Sequence, residues 1–491
     1  MENNSLITKD IVPTLKKERI ISGFGFLNIW VGMAVIIATF QIGANGIESM
    51  SLWKLAGAIF IANLLIAIVA SLTGDIGVEH GLSFSAYLRA PFGITGVQLP
   101  SLSKGIVACI WFGIQTYLGA TAINYIVASI TGFDSWFVWY VAFAAVQVIN
   151  TAAGIKAVDR FAVVAAPCII LISIWIFFQI NGIAKEANLN IFTYEGTANQ
   201  TTWLYIMAAN MGFWSLLAVD IPNITRYLKA PTNEKKWFKR NKNSYIPHLL
   251  ALPTVQTFMG VIGAVSFLAT GNWNPIEVVQ EIATGWLMVV ILLMVVLAQW
   301  STNSAANLIP ASLTFVNAGA KWNFSYAWGI VLAGIIGTLF QPWAILDQLF
   351  NFLGYYGATM SALAGVMICD YYIIRKRRLN VKDLYNPKGQ YRYNKGVNWA
   401  GIIAWLVASV VAIYFLEYMY LVGFPLAVVL YYGLMKFWYL EKYPQAEIES
   451  NFSDTYLGTS ANRDWIIIPD SKNEEEKVKV LKEDSVLASK S

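Results

Sequence analysis

Apolar residues fill most of this chain in stretches about twenty residues long, separated by shorter polar loops. A helix of that length spans the hydrocarbon core of a bilayer while satisfying its own backbone polar groups. A window of about 19 residues places spanning segments near 26–47, 53–73, 104–129, 136–154, 160–181, 203–220, 248–270, 284–308, 326–345, 349–374, 398–418 and 420–438. The turn around Tyr418 to Tyr420 is so short that the last two segments read as a helical hairpin. Ahead of the first segment the chain is polar, with Lys16, Lys17 and Arg19, so that segment is expected to be an uncleaved signal anchor. The loop from Gly74 to Ser103 has room for a short interfacial helix over Ser83 to Leu88.

Three segments carry polar groups where lipid makes them costly. After the apolar run Trp286 to Ala298 comes Gln299-Trp300-Ser301-Thr302-Asn303-Ser304-Ala305-Ala306-Asn307. On a helix, Ala298, Ser301 and Thr302 share one face and Asn303 and Asn307 the next. Hydroxyl oxygens suited to a cation thus adjoin carboxamides suited to a polar organic ligand, although Ser301 and Thr302 could equally bond back to the preceding turn. Segment one carries Gly32, Gly43 and Gly46 among Thr39, Gln41 and Asn45, and segment six carries Asn210, Gly212 and Ser215 before Asp220-Ile221-Pro222. Interrupted segments at matching places in two halves of five predict an inverted-repeat transporter with a midplane site. Backbone carbonyls of Gly32, Val35 and Ala298, with the Ser301 and Thr302 hydroxyls, would give sodium an all-oxygen shell. Trp111 and Gln115 lie one turn apart, so an indole face and a carboxamide could hold a planar heterocycle. Trp214, after Gly212-Phe213, could close its other face. In a chain with 19 tryptophans, either indole could instead be ordinary packing.

Composition agrees with a membrane protein: 57% of residues are hydrophobic, 13% are charged and the mean hydropathy is +0.54. The net charge of +5 resides in loops and tails and gives no reason to expect nucleic acid. Arg226 to Lys242 and Arg375 to Lys395 are rich in Lys and Arg, whereas loops on the opposite side hold little beyond Lys54 and Lys185. Both termini are therefore expected in the cytoplasm, with the basic runs near anionic lipid. Three cysteines and two histidines supply neither a disulfide framework nor a metal set. No carboxylate pair, Ser/His/Asp set or catalytic motif stands out, which argues against an enzyme. Asp220 and Asp370 read as ion-paired or helix-end carboxylates, with proton coupling the sharper alternative. From about Glu441 the chain is polar and expected to be a cytoplasmic, largely disordered tail.

Several short words recur in a telling order: Ile29-Trp30 with Met33-Ala34, Arg89-Ala90-Pro91-Phe92-Gly93-Ile94, Trp111-Phe112-Gly113 with Gln115-Thr116, and Gly271 with Trp273-Asn274-Pro275. Trp300-Ser301-Thr302-Asn303, Ala305-Ala306-Asn307-Leu308, Asp370-Tyr371, Asp383-Leu384-Tyr385 and Gly396-Val397-Asn398-Trp399 follow. On these words the chain, from about Phe24 to about Leu440, resembles nucleobase–cation symport family 1, and within it the sodium-coupled hydantoin carriers. The resemblance implies an all-α integral membrane protein of about 12 transmembrane helices, with a leucine-transporter-like 5+5 inverted repeat plus two C-terminal helices. Its parts would be an N-terminal tail 1–25, a first five-helix repeat 26–181, a second inverted repeat 203–374, two further helices over 398–438 and a polar tail 441–491. It implies a sodium-coupled symporter in the cell membrane, importing a 5-substituted hydantoin, allantoin or a uracil-like nucleobase by alternating access. Such a protein would work as a monomer, with sodium as co-transported ion and no cofactor. The alternative is a proton-coupled purine or cytosine permease of the same fold. Carried over position by position, Trp111, Gln115, Phe213, Trp214, Asn303 and Asn307 would line the substrate site, and Gly32, Val35, Ala298, Ser301 and Thr302 would hold sodium. The chain departs from the hydantoin carriers' pattern at Ile36 (a glutamine there), Phe213 (a glycine) and Ala362 (a proline).

Overall fold

Where the first apolar segment meets its glycines and hydroxyls, the helix breaks. In the computed structural model, which describes residues 6–7, 11–153, 155–198, 201–322, 324–449, 459, 464–467 and 478–481, α1 (Gly23–Ala34) and α2 (Ala38–Ile47) are bent by 61°. The break falls on Val35-Ile36-Ile37, a β-branched run with weak helical preference. Val35 leaves helical geometry at φ −84°, ψ 81°. Thr39 N then donates to Ile36 O at 3.2 Å, and Thr39 Oγ1 to the same oxygen at 2.6 Å. Val35 O therefore loses the partner that a continuous helix would give it.

The next elements are α3 (Leu52–His80), α4 (Phe84–Phe92), α5 (Gln98–Thr131), α6 (Trp136–Ala152), α7 (Ile155–Glu186) and α8 (Trp203–Asp220). After them come α9 (Lys242–Thr270), α10 (Gly285–Asn303), α11 (Ile309–Ala318), α12 (Tyr326–Leu339), α13 (Leu349–Ile368), α14 (Trp399–Tyr414) and α15 (Met419–Leu434). Among the described residues, seven helices are long and apolar enough to cross a membrane, eight with α1–α2 counted as one bent span. Shorter apolar helices (α6, α12, α14) and α7 occupy the remaining expected positions. A two-stranded ribbon, Asp464–Ile467 against Val478–Leu481, lies in the C-terminal region.

Segment six was expected to be interrupted near Gly212, but α8 runs unbroken from Trp203 to Asp220. Gly212 is there for close approach: a Cβ would sit 2.8 Å from Leu353 O of α13. The polar stretch of segment eight is likewise not at a helix end. Residues Gly285–Ala318 form one span, and Ser304–Leu308 is a single π-helical turn in its middle. Pro310, just beyond, cannot donate to the carbonyl four residues back, and a widened turn absorbs that missing bond.

Two groups of helices emerge from the packing. One contains α1, α2, α3, α8 and α9; the other contains α5, α6, α10, α11 and α12. In the first, α2 lies so tightly on α9 that a Cβ on Gly43 would be 1.8 Å from Gly260 O, and one on Gly263 would be 2.2 Å from Phe40 O.

Several of the short sequence words meet in space. Gly93 and Gly396, at φ +86° and +92°, let the chain turn where Asn398 N donates to Phe92 O at 2.8 Å and Thr95 N to Gly396 O at 2.8 Å. Arg89 donates to Leu6 O (2.9 Å), Leu384 O (3.0 Å) and Asn317 Oδ1 (2.8 Å), joining the Arg-Ala-Pro-Phe-Gly and Asp-Leu-Tyr words. Burial pulls its pKa down to about 10, so it remains charged at neutral pH. Asp370 is paired with Arg375 at 2.8 Å and accepts from Tyr87 and Tyr431. Arg375 also pairs with Glu447, which is fully buried with Gln445 beside it. Of the first residues after Glu441, expected to belong to a largely disordered tail, Gln445 and Glu447 are buried because they meet the Arg375 charge, while Lys442, Pro444 and Ala446 are exposed; most of 450–491 lies outside the described residues.

Candidate substrate and cation site

The break after α1 faces the middle of the α10–α11 span. Thr302 Oγ1 donates to Gly32 O at 2.9 Å, from one helix group to the other. Its hydroxyl thus makes an inter-helix bond to an oxygen that was expected to share its role. Val35, Ala298, Ser301 and Thr302 are all buried, as is Ile36. These residues present oxygens without a nitrogen, sulfur or carboxylate among them, a neutral set matched to a hard monovalent cation.

One turn further, α10 enters a carboxamide network. Asn303 Nδ2 lies within bonding distance of Gln147 Oε1 (2.9 Å), Phe112 O (3.0 Å) and Thr116 Oγ1 (3.1 Å). Its own oxygen accepts from Asn307 Nδ2 at 2.7 Å. Asn303 is therefore engaged by α5, α6 and Asn307 at both ends of its amide, and it fixes the orientation of Asn307. Asn303 and Asn307, four residues apart, lie on one face of the span as they would on a regular helix.

The aromatic residues expected around a ring do converge. The Trp111 and Phe213 rings lie 4.8 Å apart, edge to face; Phe213 and Trp214 lie 5.3 Å apart, and Trp214 and Trp30 5.9 Å. Trp111 and Trp214 are 4% and 3% exposed. Trp111 and Trp214 are thus joined through Phe213 rather than facing one another across an open slot. Tyr356 of α13 ties this wall together: it accepts from Trp111 Nε1 at 3.3 Å and donates to Phe213 O at 3.0 Å. Among the described residues, the buried Nε1 atoms of Trp30 and Trp214 and Oε1 of Gln115 have no hydrogen-bond partner. Buried polar atoms are seldom left so, and two donors and an acceptor beside an aromatic wall suit a ring that offers both carbonyl and N–H groups.

Sequence reasoning singled out Asp220 but missed its partner. Lys104 Nζ of α5 lies 2.6 Å from Asp220 Oδ1 of α8 and 3.3 Å from Pro310 O, with both side chains buried. Asp220 also accepts from Asn223 Nδ2 at 2.8 Å. Thr116, Gln147 and Tyr356 were missed as well; lone polar groups within apolar segments were the available signal.

Comparison with known proteins adds the following. A family model described as a permease for cytosine/purines, uracil, thiamine and allantoin matches residues 12–438. The chain is 28% identical over 461 residues to a hydantoin permease of Microbacterium maritypicum, covering 93% of this chain and 94% of that one. It is 26% identical over 438 residues to an allantoin permease of Bacillus subtilis, covering 84% and 88%. Its fold superposes with TM-score 0.83 on Mhp1, a nucleobase-cation-symport-1 family transporter in a closed conformation with bromovinylhydantoin bound, at 28% identity and covering 90% and 98% of the two chains. The fold is that of a leucine-transporter-like membrane transporter.

Proposed function

This chain belongs to the nucleobase–cation symport family 1, the permeases for cytosine/purines, uracil, thiamine and allantoin, and we propose that it couples sodium entry to uptake of a hydantoin, allantoin or uracil-like ring. It is a multi-pass membrane transporter of nucleobase-like compounds, not an enzyme. The observation that carries sodium coupling is the Thr302–Gly32 bond between the two helix groups, beside the freed Val35 carbonyl. In this reading the Thr302 hydroxyl keeps its proton but rotates the O–H away from Gly32 O, and sodium enters between those two oxygens. Both lone pairs turn to the ion, and Ala298, Ser301 and Val35 complete the shell. The ion then holds α1 against α10 and favours the outward-facing form; release of the ion frees the groups to rock. The substrate ring lies against the Trp30–Trp214–Phe213–Trp111 wall, with Gln115 and the two unpartnered indole N–H groups reading its edge. Asn303 acts through Asn307. The rocking units are the two packed groups, α1–α2–α3–α8–α9 and α5–α6–α10–α11–α12, each drawing helices from both repeats 26–181 and 203–374, with both termini in the cytoplasm and one chain sufficient.

Proton coupling through Asp220 is the weaker reading, since a proton on that carboxylate would break its pair with Lys104. The test is uptake of labelled hydantoin, allantoin and uracil into proteoliposomes under a sodium gradient alone or a pH gradient alone. Sodium-driven uptake is expected, and Thr302→Ala should abolish most of the sodium stimulation. Unaltered sodium dependence in that variant refutes the assignment.

A further inference from the structure

On the side that carries the basic loops, a cleft of about 440 Å³ opens between α3, α9 and the segment following α13. Its floor is apolar, formed by Ile68 and Leu72 of α3 and Leu249 of α9. One wall is the Trp237–Tyr245 pair, stacked with ring centroids 5.9 Å apart and planes 24° from parallel. That wall is pinned: Trp237 Nε1 donates to Tyr372 Oη at 3.0 Å, and Tyr372 Oη donates to Leu72 O at 2.9 Å. Arg377 lines the cleft as its cationic group. Lys236 and Lys239, which flank Trp237 and Phe238, and Lys376, beside Arg377, are all exposed. Of the nearby acids, Asp75 and Glu79 pair with Arg240, and Glu234, which accepts from the backbone N–H of Lys236, stands among several basic side chains of the same loop.

We propose that this cleft is a binding site for one anionic phospholipid, with an acyl chain on the Ile68–Leu72–Leu249 floor and the phosphate at Arg377 and the neighbouring lysines. Charge complementarity decides the occupant. A soluble anion would use only the rim and a neutral hydrocarbon only the floor, whereas an amphiphile with a phosphate diester uses both. The floor continues onto lipid-facing surface, since Ile68, Leu250 and Phe238 are 45%, 53% and 70% exposed. Tyr and Trp at the mouth occupy the headgroup level where such rings settle.

The cleft is also in contact with the transport machinery. Ser71 on its wall shares a 3.1 Å hydrogen bond with His248 Nδ1. The His248 ring packs on Trp30 with centroids 5.1 Å apart, and Trp30 on Trp214. A lipid in the cleft therefore lies behind the candidate ring-binding wall.

The experiment exchanges the purified protein into bilayer discs of equal phosphatidylglycerol and phosphatidylcholine, then counts lipids retained on release into the gas phase by native mass spectrometry. Wild type is expected to retain phosphatidylglycerol in excess of its share of the bilayer. Leu249→Trp, which fills the floor, should lose retention. Arg377→Gln with Lys239→Gln, at the rim, should bring the retained ratio down to that of the surrounding bilayer while the protein elutes as a single folded species. Equal retention of both lipids by wild type, or an undiminished phosphatidylglycerol excess in the rim variant, overturns the proposal.

Discussion

The Lys104–Asp220 pair offers a quantitative test of how the two helix groups hold together. The side chains are 0% and 2% exposed and 2.6 Å apart, so neither charge has water to fall back on. Asp220→Leu leaves the Lys104 ammonium with the Pro310 carbonyl at 3.3 Å and the Phe84 ring face at 5.2 Å. Lys104→Met leaves the carboxylate with the amide of Asn223 at 2.8 Å and the more distant Arg226 charge. Breaking one partner of a buried pair costs about 3–5 kcal/mol, whereas replacing both by apolar groups of similar volume is often neutral or stabilising. Each single variant should therefore lose about 3–5 kcal/mol, and Lys104→Met/Asp220→Leu should recover most of it. Unfolding by SDS titration from mixed micelles, monitored on all four proteins of the cycle, measures this. If the double variant loses the sum of the two single losses, the charges do not act as a unit and the reasoning fails.

Other perturbations follow from close packing and from the aromatic wall. Gly263→Ala places a methyl 2.2 Å from Phe40 O, so α2 must move off α9; a loss of at least about 1–3 kcal/mol is expected in the same titration. Gly433→Ala, with nothing within 4 Å, should instead be neutral or gain up to about 1 kcal/mol. Phe213→Gly removes the ring that packs 4.8 Å from Trp111, so hydantoins with bulky 5-substituents should compete better for uptake; unchanged competition would mean that Phe213 does not limit the pocket.

Much of the fold was legible because lipid imposes a simple rule on segment length, and each expected segment coincides with a helix. The chemistry of the site was partly legible. Thr302 and Gln115 stood out as polar groups in apolar runs, and the structure places both in the interior. The failures have a common cause: residue type alone does not say what lies opposite. Gly212 read as a helix break, but its missing side chain serves the backbone of α13. The interruption expected in segment one is real, and it falls at Val35 to Ile37, just past Gly32. Lys104 opened an apolar segment and drew no reading of its own, since nothing in the sequence shows that α8 brings Asp220 against it. Asn303 was expected at the ring, and residue type could not show that Gln147 and Asn307 lie against its amide. Gln445 and Glu447 belonged to a stretch too polar to suggest burial, and only Arg375 explains them.

The π turn at Ser304–Leu308 has a consequence for sequence length. It holds one residue more than a regular turn, so the extra residue is taken up locally and the helix beyond keeps its phase. Deleting a residue from a regular turn of α10 would instead rotate Ile309–Ala318 by about 100°, swinging Pro310 O away from Lys104 and Asn317 away from Arg89. The widened turn is therefore where this span should tolerate the loss of one residue with both contact patterns still in register.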